Sequence, residues 1–182
     1  METITDEALM LNVKQGDLKQ ASLLFDRYNK RLYNFFVKIT FDRDLGHDLT
    51  QNTFLRMIKY RKTYKEGNKF QSWLFQMARN IYADHYRKNK VLFSDFTEVE
   101  DIKNKVALVD ETMVQDEKEK LLYISLFKLT PDQREVLVLT RFQQLKYEEV
   151  AKILDTSVSN VKVKVHRAIH ALREKYLELE KI

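Results

Sequence analysis

The sequence predicts an all-α fold: two small helical domains joined by a flexible acidic linker, the C-terminal one a helix-turn-helix. Three observations carry this expectation. The 182 residues include only three glycines and one proline, so positions that break a helix are scarce. Apolar residues recur at helical spacing through most of the chain. That periodicity lapses over one acidic, partly β-branched stretch beginning Phe93-Ser-Asp-Phe-Thr-Glu-Val-Glu-Asp. The expected organisation is therefore a domain over 1–93, a linker over 94–113 and a domain over 114–182, each domain large enough for a small core.

In chain order, helices are expected near 5–15, 18–40, 43–59, 69–90, 115–127, 131–143, 147–154 and 158–178. Asp42 is a suitable N-cap for the third. Thr130-Pro131-Asp132-Gln133 supplies a capping hydroxyl, proline at the first helical position and glutamine at the third, which marks a helix start. The third helix carries two apolar faces. Leu45, Leu49, Thr53 and Met57 form one stripe; Phe54, Ile58, Gln51, Leu55 and Asp48 populate another side. A surface helix needs one apolar face, so the second is either buried by a neighbouring helix or kept for a partner. In the fourth helix Trp73 edges the stripe of Phe70, Leu74, Met77 and Ile81, which favours a core role for it. Asn80, Tyr82 and Tyr86 lie off that stripe.

The last helix has the most informative pattern. With Val161 at zero and about 100° per residue, Val165, Ala168 and Leu172 fall within about 40° of it, one narrow apolar stripe. Asn160, Val163, His166 and Arg167 lie opposite, flanked by Lys162 and Lys164. The preceding helix has its own stripe of Tyr147, Val150, Ala151 and Leu154. Only Asp155-Thr156-Ser157 separates the two, and Ser157 or Ser159 can cap the second. A short helix, a tight turn and a second helix with a polar, cationic face make a helix-turn-helix. In a major groove Lys or Arg reads guanine, Asn reads adenine and a valine methyl meets the thymine methyl. An ordinary helical hairpin with a solvated face is the plainer alternative.

Composition narrows the function. No cysteine is present, which excludes disulfides, a thiol nucleophile and Cys-ligated zinc. Gly16, Gly46 and Gly67 are too scattered for a phosphate-binding loop. His166 and His170 stand four residues apart, but no third metal ligand has suitable spacing. Glu148 and Glu149 have no partner histidine at useful spacing, so no catalytic constellation is visible. Neither an enzyme activity nor a metal or cofactor is expected. No apolar run approaches the roughly 20 residues of a membrane span. The first residues are acidic rather than basic, so a cytoplasmic protein without membrane insertion is expected.

Charge is unevenly spread. The net charge of +5 divides into +7 over residues 1–90, −4 over 91–113 and +2 over 114–182. Residues Arg56–Lys90 hold ten basic side chains against Glu66 and Asp84, interleaved with Tyr60, Tyr64, Phe70, Trp73, Phe75, Tyr82 and Tyr86. Cations that meet phosphates and rings that meet unstacked bases suit a nucleic-acid surface; a lysine-rich solvated face over an aromatic core is the competing reading.

Four motifs then carry a resemblance. They are Asp48-Leu-Thr-Gln-Asn-Thr-Phe-Leu-Arg, Phe70-Gln-Ser-Trp-Leu-Phe-Gln-Met-Ala-Arg-Asn-Ile-Tyr-Ala-Asp, Leu129-Thr-Pro-Asp-Gln-Arg-Glu-Val and Tyr147-Glu-Glu-Val-Ala-Lys-Ile-Leu. In this order and at these separations the chain resembles an extracytoplasmic-function (ECF, group IV) sigma factor of the sigma-70 family, from about Phe25 to Tyr176. The resemblance implies a factor that binds core RNA polymerase, its β′ and β subunits, recognises the −10 and −35 promoter elements and directs initiation.

It assigns Asp48, Gln51, Phe54 and Leu55 to docking on the β′ coiled coil. For the −10 element it implies Tyr64, Lys65, Gly67, Asn68 and Lys69 in a loop, with Asn80, Asp84, Arg87 and Lys88 on the following helix. The loop would form a pocket for a flipped base, where aromatic stacking contributes about 1–3 kcal/mol per base. For the −35 element it implies Asn160, Lys162, Val163, Lys164, His166 and Arg167. The acidic linker would thread toward the polymerase active-site and RNA-exit region. An anti-sigma factor is an implied partner beside promoter DNA. Two departures stand out. Asp155 occupies a turn position that is usually glycine, and Asp tolerates the left-handed conformation. Asn160-Val-Lys-Val-Lys replaces a common Thr-Val-Lys-Ser-Arg, so the contact positions carry over without the base preference. The alternative is a stand-alone helix-turn-helix regulator whose first domain binds a ligand or dimerises.

Overall fold

The computed structural model describes residues 4–89 and 117–181; the expected linker at 94–113 lies outside them. The described residues form helices and turns only. In order they are α1 (Asp6–Gln15), α2 (Gln20–Thr40), α3 (Arg43–Lys59), a 3₁₀ turn (Arg61–Thr63), α4 (Phe70–Asn89), α5 (Glu117–Phe127), α6 (Pro131–Leu137), α7 (Tyr147–Ile153) and α8 (Val158–Glu180).

Local chemistry sets the boundaries. The Thr5 hydroxyl caps α1, with Asp6 and Glu7 in its first turn, and Gly16 ends it at φ +114°. Asp42 caps α3, accepting from the Leu45 N–H at 2.9 Å. Thr130 and Gln133 form the reciprocal capping box that starts α6. Of the two candidate serines it is Ser157 that caps α8, accepting from the Asn160 N–H at 3.1 Å. Asp155 adopts the left-handed conformation at φ 49°, as the turn requires. One expected helix differs: 131–143 is α-helical only to Leu137. It then widens into a π turn over Val138–Phe142, closed by the Gln143 N–H on the Val138 carbonyl at 2.9 Å.

Helices α1–α4 bury Leu24, Leu32, Phe35, Phe36, Met57, Phe70, Leu74 and Phe75 between them. Helices α5–α8 bury Ile124, Leu126, Val136, Leu139, Val150, Val161, Val165 and Ala168. Gly46 sits where α3 crosses α2. A Cβ there would stand 2.7 Å from Val37 Cγ2, so the absence of a side chain lets the two helices approach.

The two groups of helices pack against each other. Lys38, buried on α2, places its ammonium 5.2 Å from the Tyr123 ring and 5.1 Å from the Phe142 ring. Arg31 donates to the Gln143 carbonyl at 2.9 Å, and Arg79 pairs with Glu135 at 3.1 Å. Burial raises the Glu135 carboxyl above its ordinary range, with Arg79 opposing. Arg134 makes the densest contact. It donates to Leu126, Phe127 and Leu129 carbonyls within its own group and to the Ile39 carbonyl of α2 at 2.8 Å. Its guanidinium lies 5.0 Å from the Phe41 ring and 5.4 Å from Phe127. Burial pulls its proton affinity down to about 10, still charged at neutral pH.

Candidate nucleic-acid interface

The loop between the 3₁₀ turn and α4 exposes Lys65, Gly67, Asn68 and Lys69 together. Gly67 takes φ +83°, and the Asn68 N–H closes a turn on the Lys65 carbonyl at 3.2 Å. Tyr64 is not part of that exposed set, which corrects its assignment as a contact residue. Only 1 % exposed, it turns its ring inward, edge-on to Trp73 at 5.3 Å, and donates its hydroxyl to the Asn68 carbonyl at 2.5 Å. A ring of that size is worth more buried than solvated. Tyr64 therefore shapes the loop from inside. Burial, then the charges of Glu7 and Asp6, push its phenol up to about 12.

Two hollows flank the loop. The larger, about 270 Å³, is lined by Arg56, Tyr60, Thr63, Trp73, Gln76, Met77 and Asn80. It lies between the end of α3, the 3₁₀ turn and α4 rather than inside the loop itself. The smaller, about 90 Å³, is lined by Asn68, Lys69, Ser72, Trp73 and Gln76, and is completed by Lys152 from α7. Trp73 is half-buried and lines both, so it belongs to core and surface at once. Gln76 was not singled out by the sequence reading. Its signal is spacing: Trp73, Gln76 and Asn80 fall at i, i+3 and i+7 on one side of α4.

Farther along α4, Asp84 lies 3.4 Å from Arg56 and 3.5 Å from Arg87. Arg87 and Lys88 are exposed. Tyr82 is turned instead toward the second group, where burial raises its phenol and Arg134 opposes the shift. It is less available than its place off the apolar stripe suggested.

The two faces of α3 resolve into burial and exposure. Leu49, Thr53 and Met57 are buried. On the second side Asp48 and Gln51 are exposed and Leu55 is 68 % exposed. Phe54 is only 6 % exposed, which corrects its assignment to a docking surface. Its ring sits 4.8 Å from that of Phe25 on α2, and Phe25, 43 % exposed, takes the outward place. Helix wheels cannot show this, because the covering ring comes from another helix.

On α8 the sequence wheel and the structure agree. Val161, Val165 and Ala168 are buried; Asn160, Lys162, Val163, His166 and Arg167 are exposed, and Lys164 is half-buried. The Asn160 amide donates to the Thr156 hydroxyl at 2.7 Å, which fixes the first turn. His170 Nδ1 lies 3.4 Å from Glu174 Oε1. Among the described residues no group of three possible metal ligands occurs, and no helix is long and apolar enough to cross a membrane.

Comparison with known proteins places these features in a family. The sigma-70 region 2 family matches residues 24–91, and sigma-70 region 4 matches residues 126–172. The chain is 32 % identical to the ECF RNA polymerase sigma factor SigX of Bacillus subtilis, over 86 % of this chain and 83 % of that protein. It is 30 % identical to SigM of the same organism, over 84 % of this chain and 93 % of SigM. Among solved structures, the sigma factor RpoE of Bartonella quintana, in complex with the anti-sigma factor NepR, superposes with a TM-score of 0.70 at 25 % identity. That match covers 85 % of this chain and 94 % of RpoE. CnrH, in complex with the cytosolic domain of CnrY, superposes with a TM-score of 0.71 at 23 % identity, over 93 % and 95 % of the two chains, and shares the fold. A stand-alone regulator does not account for both family regions in one chain. The chain belongs to the ECF group of the sigma-70 family, promoter-recognising factors that direct transcription initiation by RNA polymerase.

Proposed function

We propose that the work of promoter recognition is divided among three surfaces of this chain. Residues 1–93 act as the polymerase-docking and −10 module, residues 114–182 as the −35 module, and 94–113 as their tether. Asp48, Gln51 and Leu55 dock on the β′ subunit of core RNA polymerase, with Phe25 adding apolar area. The observation that carries this reading is the split of α3. Leu49, Thr53 and Met57 are buried, while Leu55 stands 68 % exposed beside Asp48 and Gln51. An exposed leucine flanked by polar groups that can hydrogen-bond is the composition of an interface centre and its rim.

Lys65, Asn68 and Lys69, the hollow at Trp73, Gln76 and Asn80, and Arg87 and Lys88 bind the opened −10 strand. Bases enter the hollow; cations hold phosphates and make binding strongly salt-dependent. Asp84 orients Arg56 and Arg87. Asn160, Lys162, Val163, His166 and Arg167 read the −35 duplex, with Lys164 at its edge. No residue carries out chemistry on the DNA. Strand opening is driven by capture of unstacked bases, each stack offsetting about 1–3 kcal/mol.

An anti-sigma factor is the proposed regulatory partner, since RpoE of Bartonella quintana is known in complex with one. Lys152 of α7 stands over the loop hollow.

Leu55→Arg tests the docking assignment. In a pull-down with purified core polymerase the variant retains helicity but loses binding, and run-off transcription falls with it. Full retention of core by the Leu55→Arg chain would remove α3 from the docking surface.

A further inference from the structure

Loop 64–69 has no regular structure, yet both of its ends are held by a helix that has no place in the contacts proposed above. Lys14, in the last turn of α1, donates from Nζ to the Tyr64 carbonyl at 2.6 Å. Glu7, in the first turn, accepts through Oε1 from the Phe70 N–H at 3.2 Å. The two are seven residues apart, two helical turns, so they share one side of α1 about 10 Å apart along its axis. One grips the entry of the loop and the other its exit.

Each contact meets a need that the loop cannot meet itself. Phe70 is the first residue of α4, and its N–H is one of the donors a helix start leaves unpartnered. Lys69, just before it, carries no side-chain acceptor. The Glu7 carboxylate supplies the acceptor from another helix and sets negative charge at the positive end of the α4 dipole. The Tyr64 carbonyl receives a charge-assisted bond from Lys14.

Helix α1 is itself firmly seated. Leu9, Met10 and Val13 are fully buried, and Asp6 binds Arg27 and the Tyr28 hydroxyl at 2.5 Å each. The loop thus hangs between two fixed posts, with the Tyr64 hydroxyl on the Asn68 carbonyl as an internal strut.

We infer that α1 sets the conformation in which the loop meets the −10 element, with Glu7 and Lys14 as positioning residues for base discrimination. This rests on the −10 role proposed above for residues 65–69. Neither side chain touches the DNA. Their effect is to fix where Asn68, Lys69 and the rim of the Trp73 hollow stand.

Run-off transcription with core polymerase tests it, using templates that differ at one −10 base. The readout is the ratio of transcript from the favoured and the substituted template. Glu7→Gln weakens one post and Lys14→Met removes the other, each with little change in volume. The ratio should fall about fivefold for Lys14→Met, the discrimination that one lost hydrogen bond represents, and by about twofold for Glu7→Gln, whose amide oxygen still accepts but carries no charge. Ratios for single −35 substitutions should stay within roughly twofold, because that surface lies on another group of helices. Lys14→Arg, which keeps a charged donor, should restore the ratio.

A uniform drop in transcription on all templates, with the ratio intact, would mean that α1 only stabilises the fold, and the inference fails. Asn68→Ala is measured alongside. If it alters the ratio while the α1 variants do not, the loop reads the base but is not braced by α1. If Asn68→Ala also leaves the ratio untouched, the −10 role of the loop has failed and the brace with it. Should a brace variant not fold, amide exchange at Phe70 in the unaltered chain decides. Protection of about tenfold or more over an unstructured amide is expected, and exchange at the unstructured rate overturns the inference.

Discussion

Arg134→Ala should destabilise the chain by about 2–4 kcal/mol, roughly 5–15 °C in Tm for a chain of this size. The guanidinium donates to four carbonyls: Leu126 at 3.1 Å, Phe127 at 2.5 Å, Leu129 at 3.1 Å and Ile39 at 2.8 Å. The first three lie at and just beyond the C-terminus of α5, the fourth in the last turn of α2. One cation therefore meets the negative ends of two helices. Charge-assisted bonds contribute about 1.5–3 kcal/mol each, so a simple sum would exceed half the stability of an ordinary domain. Two effects reduce it. Water reaches the carbonyls once the side chain is gone, and burial of the cation already carries a cost, visible in a proton affinity lowered to about 10. The assay is urea unfolding of the full chain, followed by far-UV circular dichroism and by fluorescence of Trp73, the single tryptophan. Trp73 reports on the first group of helices, whereas three of the four bonds lie in the second. The dichroism transition should move more than the fluorescence transition. Arg134→Lys, which keeps charge but not the fork, should lose at least about half as much. An unchanged midpoint would refute the capping argument, and equal shifts of both probes would refute the partition between the groups.

Three further outcomes are expected. Gly46→Ala places a Cβ 2.7 Å from Val37 Cγ2, and the overpacking should cost about 1–2 kcal/mol after a gain in helix propensity; urea unfolding measures it, and a variant as stable as the parent would show that α2 and α3 part freely. The Tyr64 phenol is raised from 10.0 to about 12, so the native chain keeps a proton that the unfolded chain loses. Its contribution to stability is whole below pH 10 and is lost between 10 and 12; Tyr64→Phe should flatten that part of the melting-temperature profile, and an unaltered slope would assign the decline to other groups. At the −35 element Arg167→Ala should cost about 1–3 kcal/mol and relax one base position, whereas Lys164→Ala should weaken all sequences alike and reduce the salt slope; titration of holoenzyme against promoter variants separates the two, and the reverse pattern would contradict the division of roles.

What the sequence determined by itself was most of what depends on neighbours along the chain, the π turn after Leu137 excepted. Helix caps at Asp42 and Thr130 and the left-handed turn at Asp155 are local events within four residues, and they follow from side-chain chemistry alone; between Ser157 and Ser159 as the cap of α8 the structure chose Ser157. The exposed face of α8 follows from a single helical period, so Asn160, Lys162, Val163, His166 and Arg167 were legible before any packing was known. The family motifs were legible for the same reason. Tertiary structure decided whatever depends on a distant helix. Phe54 and Tyr64 have the composition of contact residues, but Phe25 covers one and the inward turn of the loop buries the other. Tyr82 lies off its helix stripe, yet the second group of helices meets it there. The α1 posts at Glu7 and Lys14 stand 63 and 50 residues from the atoms they hold. Burial is a property of what arrives from elsewhere in the chain, and periodicity along one helix carries no record of it.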